Sequence, residues 1–361
     1  MKLLHFFALA VVLIGGSVSA RAAEPASIRI GFPGAGLNGK PVYALGTVAI
    51  AHLHGAIEKE LAAEGIKVEW QFLKGAGPAV NEALANGQLD FAVIGDLPAV
   101  MGRAGGLKTR LLLTQMARTN TYVAVPLPGA ARSGEGKPPV TSIPDLKGRT
   151  VANFKGTNTH LAANRILASE GLSERDLKVV NLDPSAAFAA LASKQVDAAF
   201  GAFYMLALRD LGSANIVYTT RGRSPTLTVL GGFLVTEDFA AKYPAIVDRV
   251  VRAVVAEAAW SSDEANREAA FELWAGSGLP IGNYREEFDG VAARDFNSPL
   301  LDDFAVGRFE AAASDALTYR LVRREVDVAG WLDRGPLDRA IAALGLQGTW
   351  IAYDKEGQPR P

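Results

Sequence analysis

The stretch Ala83-Leu84-Ala85-Asn86-Gly87-Gln88-Leu89-Asp90-Phe91-Ala92 returns in the second half of the chain as Ala190-Leu191-Ala192-Ser193-Lys194-Gln195-Val196-Asp197-Ala198-Ala199, with six of ten positions identical. Each copy reads as a helix end, a tight turn and the start of an apolar strand. Each also follows a strand-like run holding a Lys-Val pair, Lys67-Val68 in one case and Lys178-Val179 in the other. A strand, loop, helix, turn, strand unit thus occurs once per half, which predicts two similarly built lobes. The separation is far longer than a solenoid period. A chance likeness between two helix-turn-strand passages is the alternative reading.

Working outward, short apolar runs alternate with amphipathic helical patterns, the mark of an α/β chain whose sheets are mainly parallel and flanked by helices. The first strand is expected over 28–32, followed by a Gly-rich loop over 33–39. A helix over 42–63 should end at Gly65, and a strand over 66–73 should lead through Lys74-Gly75-Ala76-Gly77-Pro78 into a helix over 79–85. The apolar run 89–94 reads as a buried strand that empties into Gly95-Asp96-Leu97-Pro98. Beyond it, 122–125 and 150–154 read as strands separated by a polar Gly- and Pro-rich excursion over 126–139. The run 231–236 reads as a return crossing. The expected organisation is therefore a discontinuous first lobe (24–120 and 236–361, ending in helices) and a second lobe (121–235), joined by two hinge strands.

At the N-terminus, Lys2 precedes an apolar run over 6–14, Gly15, Gly16 and small residues through Ala23. That layout is a secretory signal peptide, too short to span a bilayer, with cleavage expected after Ala20, Ala22 or Ala23. Residues 1–23 are excluded from the fold on that ground. The chain has no cysteine, which excludes disulfides, thiolate chemistry and a lipid-anchored N-terminal cysteine. A soluble, freely diffusing periplasmic protein is expected. The 37 basic residues nearly balance the 38 acidic ones, so neither nucleic acid nor an anionic membrane is an indicated partner.

In open α/β sheets ligands sit at the carboxyl ends of strands, where helix N-termini present unpaired N–H groups. Four loops meet that description: the first around Gly36 and Asn38, the second around Gly75 and Gly77, the third at Gly95 and Asp96, and the fourth at Lys155-Gly156-Thr157-Asn158-Thr159-His160. The fourth joins a glycine, cap-type donors and a positive charge, although a plain strand-to-helix turn would also use such residues. Arg118 and Arg223 are basic residues expected near the hinge and rim. Asp96 has two readings, a partner for a ligand amine or a cap for the helix that follows it.

The fragments Gly75-Ala76-Gly77-Pro78, Gly87-Gln88-Leu89-Asp90, Gly95-Asp96-Leu97-Pro98, Asp145-Leu146-Lys147-Gly148, Lys155-Gly156-Thr157 with His160, and Val196-Asp197-Ala198 occur in an order that resembles the sulfonate, taurine and nitrate family of ABC transporter substrate-binding proteins. That family is related in fold to the thiamine-pyrimidine-binding group. The resemblance implies a type II-like periplasmic binding protein fold whose two lobes close on a small organic anion. It also implies delivery to an inner-membrane permease with a cytoplasmic ATPase, by a monomer that needs no cofactor. The sequence departs from the aliphatic-sulfonate pattern at Ala202-Phe203-Tyr204, where such binders carry Trp-Asp-Pro, and in a longer first loop. Phe203 and Tyr204 could wall a bulkier ligand or belong to the core.

Catalytic and metal motifs are weaker. His52 and His54 would project about 200° apart on a helix, a poor metal site, and read as solvent-facing. The pairs Asp302-Asp303 and Glu286-Glu287 read as solvated carboxylates at helix starts. No nucleophile elbow, phosphate loop or dinucleotide fingerprint is present. A periplasmic sensor that presents its ligand to a receptor would use the same fold, as would an enzyme of small molecules.

Overall fold

The computed structural model describes residues 24–34, 45–127 and 138–360. The expected signal peptide over 1–23, Gly36 and Asn38 lie outside the described residues. The first lobe is laid down as β1 (Ser27–Phe32), α1 (Thr47–Leu53), α2 (Ala56–Leu61), β2 (Lys67–Phe72), α3 (Ala76–Ala85), β3 (Phe91–Gly95), α4 (Asp96–Ala104) and β4 (Thr109–Thr119). The chain then crosses into β5 (Tyr122–Pro126), β6 (Thr150–Asn153), α5 (Asn158–Ser169), β7 (Lys178–Asn181), α6 (Pro184–Ala192), β8 (Ala198–Gly201), α7 (Met205–Asp210) and β9 (Ala214–Thr219). It returns through β10 (Val229–Thr236) to α8 (Glu237–Lys242), α9 (Pro244–Ser262), α10 (Arg267–Ala275), α11 (Ile281–Glu287), α12 (Ala293–Phe296), α13 (Asp303–Thr318) and α14 (Gly335–Leu344).

Two five-stranded sheets result, ordered β2-β1-β3-β10-β4 and β7-β6-β8-β5-β9. In the first, β1 is parallel to β2 and β3, while β10 is antiparallel to β3 and β4. In the second, β6 is parallel to β7 and β8, while β5 is antiparallel to β8 and β9. Each sheet therefore has four strands in one direction and one reversed strand, and the reversed strand is the one that has just arrived from the other lobe. The expected two-lobed α/β architecture is present, each sheet mixed by its one reversed strand.

The internal repeat has a physical basis. Asp90 Oδ2 accepts the Arg29 N–H at 2.8 Å, and Asp197 Oδ2 accepts the Thr150 N–H at 2.7 Å. Each carboxylate thus ties its own strand to the neighbouring β1 or β6. The turn ahead of each aspartate is also the same turn, with φ of +64° at Gly87 and +60° at Lys194.

Three expectations are corrected. The helix expected over 42–63 is broken into α1 and α2 at Gly55, which takes a left-handed φ of +62° that favours glycine. The return crossing precedes Val229, because all of β10 belongs to the first sheet, so the second lobe ends earlier than 235. The C-terminal helices are not confined to the first lobe: α13 packs on α4 and on α5, and Arg209 of α7 pairs with Glu286 of α11 at 2.7 Å. The core accordingly runs continuously from Ile28 of β1 to Leu337 of α14, with Trp274 and Trp331 fully buried. A smaller cluster around Val151, Ile166 and Phe200 stays within the second lobe.

Candidate ligand-binding site

A cavity of about 570 Å³ lies between the lobes, walled by the outgoing crossing, by the start of β10 and by the loops at the ends of the strands. The N-cap residues of α3, α4, α5 and α6, namely Gly75, Gly95, Thr157 and Asp183, all line it. Four helix N-termini thus bring partial positive charge to one space. Among the described residues Lys74 is the cationic one in the lining and Asp183 the anionic one, and the Asp183 carboxylate is already engaged by its own helix, accepting from the Ala186 N–H at 2.9 Å. Thr119, Asn120, Thr121, Thr159, Ser185 and Gln115 add neutral polar groups. Leu45, Met116, Phe154, Val229, Leu279, Phe203 and Tyr204 make an apolar wall.

Phe203 packs on Tyr284 with ring centroids 5.0 Å apart, and Tyr204 on Phe188 at 5.8 Å, so both aromatics serve cavity and core together. Burial pushes the Tyr204 hydroxyl up to about 12, which keeps it a neutral hydroxyl throughout the physiological range.

Of the residues picked out in the sequence, Gly75, Gly77, Gly95, Thr157, Asn158, Thr159, Phe203 and Tyr204 meet at this cavity. Gly156 lies against the opposite lobe instead, where a Cβ would come 3.0 Å from Pro78 Cγ. Lys155 points away, half-exposed with its ammonium 3.7 Å from Glu174, while its N–H donates to Asn181 Oδ1 at 2.9 Å. His160 is buried. Its Nδ1 accepts from the Gly156 N–H at 3.1 Å, which leaves Nε2 to donate to Glu174 at 2.9 Å. That bond is the largest influence holding the Glu174 carboxyl below its usual range. Lys155 and His160 therefore brace the loop whose backbone reaches the cavity.

Arg118 and Arg223 are not at the cavity. The Arg118 guanidinium sits 4.3 Å from the Tyr353 ring centroid and 5.2 Å from that of Phe304, while Arg223 covers Tyr218 at 4.5 Å. Asp96 is fully buried behind the site. Its Oδ1 accepts from the Leu97 N–H at 2.7 Å, and it faces Arg165 of α5 and Arg308 of α13. Burial pushes its carboxyl up, and the two guanidinium groups partly offset that. His52 and His54 are half-buried rather than solvent-facing: the His52 ring lies 4.5 Å from Trp70, and His54 Nδ1 lies 2.8 Å from Glu257. Glu287 is buried at the end of α11, and Asp302 caps α13.

The sequence reading missed Lys74, Gln115, Asn120, Thr121, Asp183 and Ser185. The internal repeat held the signal for two of them, since Asp183-Pro184-Ser185 occupies in the second lobe the place of Gly75-Ala76-Gly77-Pro78 in the first. Asn120 and Thr121 belong to the crossing, which has no periodic pattern to reveal it.

The family described as NMT1/THI5 like matches residues 56–264, more than half of the chain. The chain belongs to that family. A solved structure described as the periplasmic sulfonate-binding protein of a candidate sulfonate ABC transporter, from Methylobacillus flagellatus KT, is 31% identical to this NMT1/THI5-like protein. It superposes with a TM-score of 0.76 over 91% of this chain and 97% of its own. The alkanesulfonate-binding protein of Xanthomonas axonopodis pv. citri, solved with MOPS bound, is 27% identical with a TM-score of 0.70 over 87% of this chain and all of its own. A candidate aliphatic sulfonates-binding protein of Escherichia coli K12 is 28% identical over 188 residues, and the chain spans about half (53%) of that curated relative's length.

Proposed function

We propose that this NMT1/THI5-like protein is the solute-binding component of an ABC importer, capturing a small organic anion of the sulfonate class by closing its two lobes. A periplasmic location and delivery to a permease driven by a cytoplasmic ATPase belong to the same reading. The supporting observation is the convergence of four helix N-termini and one lysine on a cavity between the lobes that also carries a large apolar wall. Such a wall recognises a carbon chain or ring beyond the anionic head. Among the described residues no helix is long and apolar enough to cross a membrane, which accords with a free carrier. Among the described residues the lining offers hydroxyls with no histidine beside them and with one carboxylate, Asp183, that is engaged by its own helix, which favours binding over turnover.

Calorimetry with linear alkanesulfonates tests this. Affinity should rise about fourfold per methylene, from about 0.8 kcal/mol of buried CH₂, until the cavity is filled. Nitrate and sulfate should bind more weakly than pentanesulfonate. Equal affinity for nitrate and pentanesulfonate would refute the organic-anion reading, and consumption of the sulfonate would replace binding with catalysis.

The positions of the two lysines give a paired expectation. Lys74→Ala should weaken pentanesulfonate by roughly ten- to a hundredfold, the loss of about 1.5–3 kcal/mol from a charge-assisted hydrogen bond. Lys155→Ala should leave affinity within about twofold, because its ammonium is turned to Glu174. The reverse order would place the anion on the other loop.

A further inference from the structure

The two connections between the lobes lie side by side and are laced together. Asn120 and Thr121 form the outgoing crossing, and both line the cavity. Thr220, just after β9, donates its backbone N–H to Thr121 O at 3.0 Å. Its hydroxyl oxygen accepts from the Thr121 N–H at 3.0 Å, and the hydroxyl donates to Asn120 Oδ1 at 3.0 Å. Into this junction α11 inserts Glu287, which is 1% exposed. Its Oε1 accepts from Asn120 N at 2.6 Å and from Asn120 Nδ2 at 3.3 Å, and its Oε2 accepts from the Tyr122 hydroxyl at 2.6 Å.

We infer that Glu287 is the positioning residue of the hinge: it fixes the Asn120 amide at the cavity wall and makes anion capture at that wall proceed with uptake of a proton by its own carboxyl. This rests on the reading of the cavity as an anion site. The Asn120 amide has its orientation settled from both ends, since flipping it would set Oδ1 against a carboxylate. One Nδ2 hydrogen goes to Glu287, and the other is left for the cavity side.

A buried carboxylate one residue behind an anion site opposes the anion when ionised and does not when protonated. The charged groups around it do not cancel it. Arg221 is the cation acting on it, and that guanidinium is shared with Asp289 at 2.9 Å and Glu286 at 3.7 Å, while Arg209 is paired with Glu286 and Asp210. Tyr122 is held neutral by burial and by Glu287 itself. Burial moves Glu287 up to about 7, against the hydrogen bonds from Asn120 and Tyr122. Protonation at Oε2 keeps both Asn120 bonds, because the Tyr122 hydroxyl can turn from donor to acceptor.

The test uses pentanesulfonate, which stays an anion at every pH of interest. Wild-type affinity should rise about tenfold from pH 8 to pH 6. At pH 7.5 the heats in phosphate and Tris should differ by the amount that proton uptake requires. Glu287→Gln imitates the protonated acid, so it should bind with the wild-type's low-pH affinity across the range and take up no proton. Wild-type binding without proton uptake, or a Glu287→Gln variant that keeps the pH slope, would overturn the inference. If pentanesulfonate binds neither protein, the anion reading has failed, and the hinge role is then read from ligand-free melting. The cost of the buried charge is absent below the ordinary carboxylate range and grows as pH rises through about 7. Wild type should therefore gain Tm relative to Glu287→Gln between pH 8 and pH 6, and a constant difference would reject the titration.

Discussion

Gly95→Val should weaken pentanesulfonate by about ten- to a hundredfold and leave the ligand-free protein as stable as wild type. Gly95 ends β3 and caps α4, and its φ of −72° is one that any residue adopts. The absence of a side chain there is explained by space: a Cβ would lie 3.1 Å from both Cβ and Cγ of Asn158, on the facing lobe. Valine adds two methyls beyond that point. Overpacking of this kind costs about 1–3 kcal/mol, and it is felt only when the lobes meet, so it subtracts from the closed liganded state. With the lobes apart, valine in a strand is tolerated or favourable. Calorimetry and a melting curve decide the matter together. Lost affinity with an unchanged Tm supports closure as the binding event, whereas unchanged affinity would mean that Gly95 and Asn158 need not approach.

Arg165→Met should cost about 3 kcal/mol of unfolding free energy, the usual result of removing one partner from a buried charge group. Arg165 reaches from α5 to Asp315 of α13 at 2.6 Å, with its side chain 9% exposed, and faces Asp96 of α4. Arg308 completes the group. Burial and the neighbouring Arg165 lower it to about 10. Without Arg165, Asp96 is a fully buried carboxylate with one guanidinium left to answer it. Its already raised pKa rises further, so the variant should lose more stability at pH 8, where Asp96 must ionise, than at pH 5, where it can keep a proton. Adding Asp96→Asn should restore most of the loss, and Asp96→Asn alone should bind pentanesulfonate as wild type does. Urea unfolding at the two pH values measures the first claim, and a loss below about 0.5 kcal/mol would count against it. Weakened binding by Asp96→Asn would return that residue to the ligand site.

The architecture was legible because its signals are local and periodic. The duplicated Gln-x-Asp turn marks the two lobes because each aspartate clamps a neighbouring strand, a requirement of folding that both halves share. Gly75, Gly95 and Thr157 could be found as helix caps at strand ends, which is a backbone rule. What failed was the assignment of charge. Lys155, Arg118, Arg223 and Asp96 look in sequence like ligand groups, and each proves to hold a scaffold contact: Glu174, the Tyr353 and Phe304 rings, Tyr218, and the Arg165 and Arg308 pair. For Arg118 and Asp96 the side chain's direction depends on partners more than a hundred residues away, which no window of sequence contains. Glu287 was read as solvated, and wrongly, for the same reason. An acidic pair at a helix end is ordinarily solvated, and only the meeting of α11 with the two crossings buries it.

The position of β10 has a consequence for the order in which the molecule can assemble. It is the sole strand joining β3 to β4 in the first sheet, yet it follows the entire second lobe in the chain. As the polypeptide emerges N-terminus first, β4 has no strand partner until residues 229–236 arrive, whereas β5 through β9 are already complete. The second lobe can therefore mature first, as a nascent domain flanked by an unfinished one. The first sheet then closes around a late-arriving central strand, and until it does the β3 and β4 edges are the part of the chain that a chaperone would have to shield.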